Sequence, residues 1–464
     1  MSNAQASSAQ FLLEADVPKV LWRFATPNVV AVATMTAVTF ADAWYVGQLG
    51  TAALASLALA FPFLTLMQMM AGGAIGGGTT SAVARAFGAG DIERVESTAW
   101  HAVLIALVIS GVYMIVLGLF PRPVFALLGG EGAALDGAVI YARIVFGGAA
   151  SSFFIFIISA ILRGTGDTLT PARAITTASL VQVVLSGAFT LGWFGLPSLG
   201  IAGAATAWVL CQGAAAAYLT IFLFKGKGRI RLFPQATRWA PIRDIMAVGG
   251  LGLLHSFCLA MTVAVVTGYV GRYGTEALAG YGLGARLELM LVPIAFGVGA
   301  ALTAAVGVNV GANQYARARR IAWAGGGVVM ALTGLLGILA ALKPGLWLDF
   351  FTEDPRAYEF GAQYLVVAAP FYGIFGLGQS FYFASQGTGR MALPVSVTVF
   401  RFITVATLGA LVLSAGLDFT WLFATVAVGL TIMGVGQALC VLGPGWQGQI
   451  ETDVKPAAAP EPRH

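Results

Sequence analysis

Two carboxylates interrupt the long apolar runs of this chain. Asp42 lies in VAVATMTAVTFADAWYVG and Glu288 in GLGARLELMLVPIAFGVG. A charged acid at the centre of a hydrocarbon layer costs roughly 2.5–3.5 kcal/mol on insertion scales, so one placed there points to a task such as binding and releasing a cation. Asp42 has no Lys or Arg beside it in sequence. The plainer alternative puts it at the headgroup boundary, with Trp44 and Tyr45 as an interfacial belt. Glu288 has company. Arg286 stands two positions earlier, although residues at i and i+2 face different sides of a helix. His255, at similar depth in the preceding helix, offers a second partner, and Arg401 could join either arrangement. A polar cluster that braces the second half of the chain fits the same four residues.

Little else has the spacing of a chemical site. The stretch AGGAIGGGTT at 71–80 has the glycines of a phosphate loop but lacks the Lys-Ser/Thr that must follow. Its Gly72–Gly76 and Gly73–Gly77 pairs fit close helix packing instead. Cys211, Cys258 and Cys440 all lie in apolar segments, as small buried hydrophobes. No HExxH or His/Cys ligand spacing occurs, so an enzyme is not expected. Nor is a resident cofactor or metal, beyond a coupling proton or a sodium ion at Asp42.

The elements that hold these residues are read from composition. With 58% hydrophobic and 10% charged residues the chain cannot be a soluble globular domain, whose charged share is about 25%. Its runs exceed the roughly 20 residues that span a bilayer. Helices are expected at 20–46, 54–84, 97–119, 138–162, 172–194, 200–224, 244–270, 276–308, 320–342, 359–385, 393–415 and 418–442. On this division 18 Lys and Arg fall on the side of the two termini, Arg163 among them, and 4 on the other. The positive-inside rule then puts both ends in the cytoplasm and the protein in the plasma (inner) membrane. The formal charge of +5 follows this topology and does not call for nucleic acid.

The chain is also duplicated. YVGQLGTAALASLAL at 45–59 returns as YVGRYGTEALAGYGL at 269–283, and RGTGDTLTP at 163–171 as QGTGRMALP at 386–394. Tyr141 and Tyr364 match, as do Gly88-Ala89 and Gly311-Ala312, at offsets of 223 or 224 throughout. Asp42 falls on Val266 and has no mate. The expected fold is therefore an all-α membrane protein of about twelve helices in two six-helix bundles around a central cleft. The bundles run over 16–224 and 244–442, between a flexible N-terminus at 1–15 and a disordered cytoplasmic tail at 443–464, and are joined by a basic cytoplasmic linker at 225–243. Six helices per repeat insert both copies the same way up, with the symmetry axis along the membrane normal.

The ordered motifs carry a resemblance. An acid before YVGQLGTAALAS is followed by ARAFGAGDIERV, RGTGDTLTP, LGIAGAATAW, YVGRYGTEALA, VGVNVGANQYARA and QGTGRMALP. This order resembles the multidrug and toxic compound extrusion (MATE) family, most of all its DinF-like branch, over nearly all of 15–442. The resemblance implies a cation-coupled antiporter that exports bulky, often aromatic organic cations by alternating access, and it puts the branch's first-helix acid at Asp42. The branch's fifth-helix Asn and Asp fall on Gln182 and Ser186, so a second carboxylate is missing. Thr206 corresponds to a hydroxyl completing that first-bundle site. The acid pair in the second bundle of the NorM-like branch has no counterpart here. With one carboxylate, a proton is favoured over sodium.

A cleft for varied ligands should present aromatic, Met and amide side chains, for which Met35, Met67, Phe154, Ser179 and Gln379 are candidates. Small organic substrates and membrane lipids are the expected partners of a monomer. A flippase for lipids or lipid-linked sugars is the rival reading, but it needs a strongly cationic cleft, and only Arg286 and Arg401 lie deep. A membrane enzyme or receptor would need a clustered catalytic set or a soluble domain.

Overall fold

The structure, a computed structural model, describes residues 10–447. It is all-α among the described residues. The spans are α1 (Val17–Gly47), α2 (Thr51–Gly88), α3 (Ile92–Leu119), α4 (Gly132–Gly147 with Ala149–Gly164), α5 (Leu169–Leu191) and α6 (Ile201–Phe224). The second half adds α7 (Trp239–Tyr273), α8 (Thr275–Gly311), α9 (Tyr315–Leu342), α10 (Pro355–Thr388), α11 (Ala392–Ser414) and α12 (Phe419–Leu442). Each is long and apolar enough to cross a membrane, α4 only when its two pieces, bent by 44° at Gly148, count as one span.

The duplication extends to the irregularities. α4 bends at Gly148, and α10 tightens into a 3-10 turn over Ala369–Phe371, the repeat-related place, where Pro370 removes a backbone donor. α2 passes through a π-helical stretch at Met69–Ile75, and α8 breaks at Met290, just before Pro293. Side-chain caps follow the same economy: Asp91 accepts from the Arg94 N–H at 3.0 Å to start α3, and Asp354 from the Arg356 N–H at 2.9 Å to start α10.

The two halves meet over one half of their length only. Gly88 lies so close to α8 that an added Cβ would come within 2.0 Å of the Val308 carbonyl oxygen, and one on Gly311 within 2.1 Å of the Arg85 carbonyl oxygen. Gly297 lies against Val29, and Gly252 against Ala74. Residues 29 and 74 are the repeat mates of 252 and 297, so these contacts are twofold-related. All of them lie toward the face where α1 begins and α12 ends. Toward the opposite face, the Thr51–Gln68 part of α2 and the Thr275–Leu289 part of α8 make their main contacts within their own halves. The molecule is sealed at the terminal face and parted at the other.

Several expected boundaries shift. α7 starts at Trp239 rather than 244, because Pro241 fits the first turn of a helix, and the linker shrinks to 225–238. That linker is held down: its Arg238 N–H donates to His101 Nε2 at 2.8 Å, and Arg229 reaches the Thr165 carbonyl. Since Nε2 accepts, His101 carries its proton on Nδ1 and gives it to the Ser97 carbonyl at 2.7 Å. Burial lowers the Arg229 pKa below the usual guanidinium range. The expectation of a flexible stretch to residue 15 does not hold for residues 10–15. Leu12 is fully buried there, and its carbonyl accepts from Asn309 at 3.2 Å and from Arg317, which also binds the Ala15 carbonyl. Trp446, expected in the disordered tail, is buried too. The rest of both terminal segments lies outside the described residues.

Candidate ion-coupling site

Asp42 is buried near the far end of α1, where α5 packs along that helix. Gln182 Nε2 on α5 donates to Asp42 Oδ2 at 3.2 Å. Ser186, one turn further along α5, lies within electrostatic reach, but its Oγ and Asp42 Oδ1 are both buried without completing a hydrogen bond. Tyr141 of α4 and Cys211 of α6 also lie within electrostatic reach of the carboxyl, as does Tyr45 one turn along α1. Thr206 does not join them: its hydroxyl donates to the Ala202 carbonyl of its own helix at 2.7 Å. The local reason is the usual back-bond of a Thr inside an apolar helix. Among the described residues, Asp42 is thus met by neutral groups, and no Lys or Arg pairs with it.

The second acid is treated differently. Glu288 accepts a close hydrogen bond from the Tyr364 hydroxyl, and its Oε1 stands 4.0 Å from Arg401 Nη2 of α11. Arg401 in turn lies over the Phe375 ring, 5.4 Å from its centre. Of the partners considered from the sequence, Arg401 is the one used, and neither Arg286 nor His255 bonds Glu288. Arg286 is exposed on another side of α8, as an i, i+2 relation requires. His255 binds Thr398 Oγ1 at 2.9 Å and stacks on Tyr382 with ring centres 3.5 Å apart. It stays within electrostatic reach of Arg401, so Glu288, Arg401 and His255 occupy one region, without a direct Glu288–His255 bond.

The two tyrosines that attend these acids, Tyr141 and Tyr364, are repeat mates. Their sequence signal was the duplication itself. Of the proposed cleft residues, Met67 is fully buried in a core to which both halves contribute, and Ser179 and Gln379 are buried as well. Met35 and Phe154 are partly buried against the same core. Met67 is a packing residue, because an unbranched thioether fills irregular gaps between apolar helices.

The MatE family model matches residues 27–187 and again 253–412, once per repeat and together more than half of the chain. The chain belongs to the MatE family. Membership makes it a membrane transporter rather than an enzyme. It is 27% identical over 339 residues to a probable multidrug resistance protein NorM of Thermotoga maritima, covering 71% of each chain. A second probable NorM, from Deinococcus radiodurans, is 27% identical over 90% of this chain and 93% of its own. A protein of Shewanella oneidensis named an FAD transporter is 26% identical over 79% of this chain and 81% of its own. Among solved structures, a multidrug resistance MATE family transporter of the MOP superfamily in an outward-facing conformation superposes with a TM-score of 0.85 at 21% identity, covering 94% of this chain and 97% of that one. The structural likeness fixes the fold, and the transporter's own residues must supply the rest.

Proposed function

We propose that this transporter is a cation-coupled multidrug efflux antiporter, driven by protons rather than sodium, with Asp42 as the coupling carboxyl. The observation that carries this reading is the contrast between Asp42 and Glu288, the one buried and the other half-buried. Glu288 is answered by Arg401, whereas among the described residues Asp42 is met by neutral side chains alone. An anion buried among neutral groups is best relieved by taking up a cation. The proton is favoured by orientation: Gln182 presents an N–H to Asp42, which suits a carboxylate and would face a bound sodium ion with the wrong dipole. The Thr206 hydroxyl is turned away as well.

The basic residues concentrate on the terminal side. That supports a cytoplasmic terminal face, and the parted opposite face then opens outward. In the proposed cycle, external protons and cytoplasmic substrate stabilise different arrangements of the first half, and only that difference in affinity moves the equilibrium. A one-unit pH gradient supplies about 1.4 kcal/mol per proton. A potential of about 100 mV adds about 2.3 kcal/mol per net charge moved. Together they support accumulation of a few hundredfold. The names of the relatives support small organic substrates.

The test is export of a fluorescent organic cation from proteoliposomes under an imposed pH or sodium gradient. The wild type should respond to pH, and Asp42→Asn should lose that response at normal expression. Wild-type rates in Asp42→Asn would remove the carboxyl from the mechanism, and a response to sodium alone would reverse the choice of ion.

A further inference from the structure

Arg163, assigned from its sequence to a basic loop, is instead 5% exposed at the end of α4. Its guanidinium makes no hydrogen bond, ion pair or ring contact among the described residues, and its Nε is sealed off without a partner. Two other guanidinium groups drawn into the protein are answered: Arg85 by Asp244 at 2.6 Å and Arg401 by Glu288. Arg163 lines a small cavity of about 10 Å³ between the two halves, room for about one water-sized sphere.

This cavity lies on the symmetry axis, because its walls are repeat mates. Arg163 faces Gln386, Thr80 faces Thr303, and Gly77 faces Ala300. The mates bond alike: Thr80 Oγ1 donates to the Ala160 carbonyl at 3.2 Å, and Thr303 Oγ1 to the Phe383 carbonyl at 2.8 Å. Gln386 Nε2 is likewise committed, to the Gly73 carbonyl at 3.0 Å. The neutral walls therefore have their donors engaged, and one cation points into a small enclosure that both halves must come together to complete.

We propose that Arg163 holds a small inorganic anion, a halide such as chloride, on the axis between the halves. A buried guanidinium with no protein carboxylate needs an opposite charge, and the enclosure is too tight for an organic acid with a body of its own. Because each half supplies part of the wall, the bound anion favours the arrangement sealed at the terminal face. The site is independent of which cargo or coupling ion the transporter uses.

The experiment is thermal unfolding of the purified full-length protein at constant ionic strength, with sodium gluconate replaced stepwise by chloride, bromide or formate. The wild type should gain stability saturably with chloride and bromide. Arg163→Gln, which installs the residue of the other repeat, should lose the response, and Arg163→Lys should keep a weakened one. Bromide-soaked wild-type crystals should show an anomalous peak beside Arg163, a readout that stands if the Gln variant fails to fold. Equal behaviour of wild type in gluconate and chloride, an unchanged titration in Arg163→Gln, or no bromide peak would overturn the proposal. A response to formate with none to halide would overturn the choice of ion.

Discussion

Neutralising Asp244 should open the terminal face. Asp244, on α7, takes Arg85 of α2 on Oδ1 at 2.6 Å and Arg94 of α3 on Oδ2 at 3.1 Å, so one carboxylate ties both helices of the first half to the second. Arg85 continues the chain by donating to Ser81, which binds the Gln386 carbonyl of α10. The side chains of Arg85 and Asp244 are 16% and 25% exposed, whereas Arg94 is 55% exposed. The Arg94 arm is therefore largely screened and contributes little. The Arg85 arm is a partly dried, charge-assisted pair, worth about 2 kcal/mol. All of it is lost if the halves separate at this face. Asp244→Asn keeps the shape and removes the charge, which destabilises the sealed state relative to the open one by about 2 kcal/mol, or roughly 30-fold in population. Spin labels at Glu93 and Arg320, both exposed near this face, would report it on a background free of Cys211, Cys258 and Cys440. The distance distribution should broaden toward longer separations in Asp244→Asn. Arg122→Gln, which breaks the exposed pair with Asp136 inside one half, should leave it unchanged. An unaltered distribution in Asp244→Asn would show that the bridge does not hold the halves together.

Two further outcomes follow from the packing. Gly88→Ala and Gly311→Ala each push a methyl into a carbonyl of the other half, at 2.0 and 2.1 Å, and should weaken the seal by about 1–3 kcal/mol apiece. Their effects on the same label distances should be similar, and a large effect from one alone would contradict the twofold contact. Glu288→Gln leaves Arg401 buried without a counter-charge and should lower stability in detergent by about 3 kcal/mol. The double variant Glu288→Gln with Arg401→Met should recover most of it, and failure to recover would assign the loss to Glu288's bond with Tyr364.

Much of this fold was legible, because hydropathy and a constant repeat offset are both encoded locally. Twelve spans and the pairing of Tyr141 with Tyr364 need no knowledge of tertiary contacts. What the sequence hid was long-range choice. Arg286 was the near candidate for Glu288, yet helix geometry turns it away and Arg401, two helices' worth of chain later, does the work. Arg163 looked like a loop charge because α4 was expected to stop at 162. It runs to Gly164, and the glycine there packs against Val83, drawing the arginine beneath the seal. Met67 carries no sequence mark that separates a cleft wall from a packed core. The meeting of Asp42 with Gln182 was foreshadowed only by family resemblance, since 140 residues separate them.

In the proposed cycle, duplication would serve the movement of the halves, and its exceptions would set the direction. The contacts that close the terminal face occur as twofold pairs, so each half can rock as a unit against the other without inventing a new interface. A wholly symmetric pair would give an ion no reason to act on one half rather than the other. Here the charges break the symmetry: Asp42 replaces a valine's mate, Arg163 stands opposite Gln386, and Arg85 stands where its mate is Val308. α1 joins the two kinds of feature. Asp42 lies 13 residues from Val29, a rise of about 20 Å along one helix, and Val29 is the residue that touches Gly297 across the seal. Pro27, inside the same helix, removes a backbone hydrogen bond beside that contact. α1 is therefore stiff between the carboxyl and the seal and weakest at the seal itself. In the proposed cycle, a change in how Asp42 packs against α5 would be delivered along α1 to the Val29–Gly297 contact of the seal.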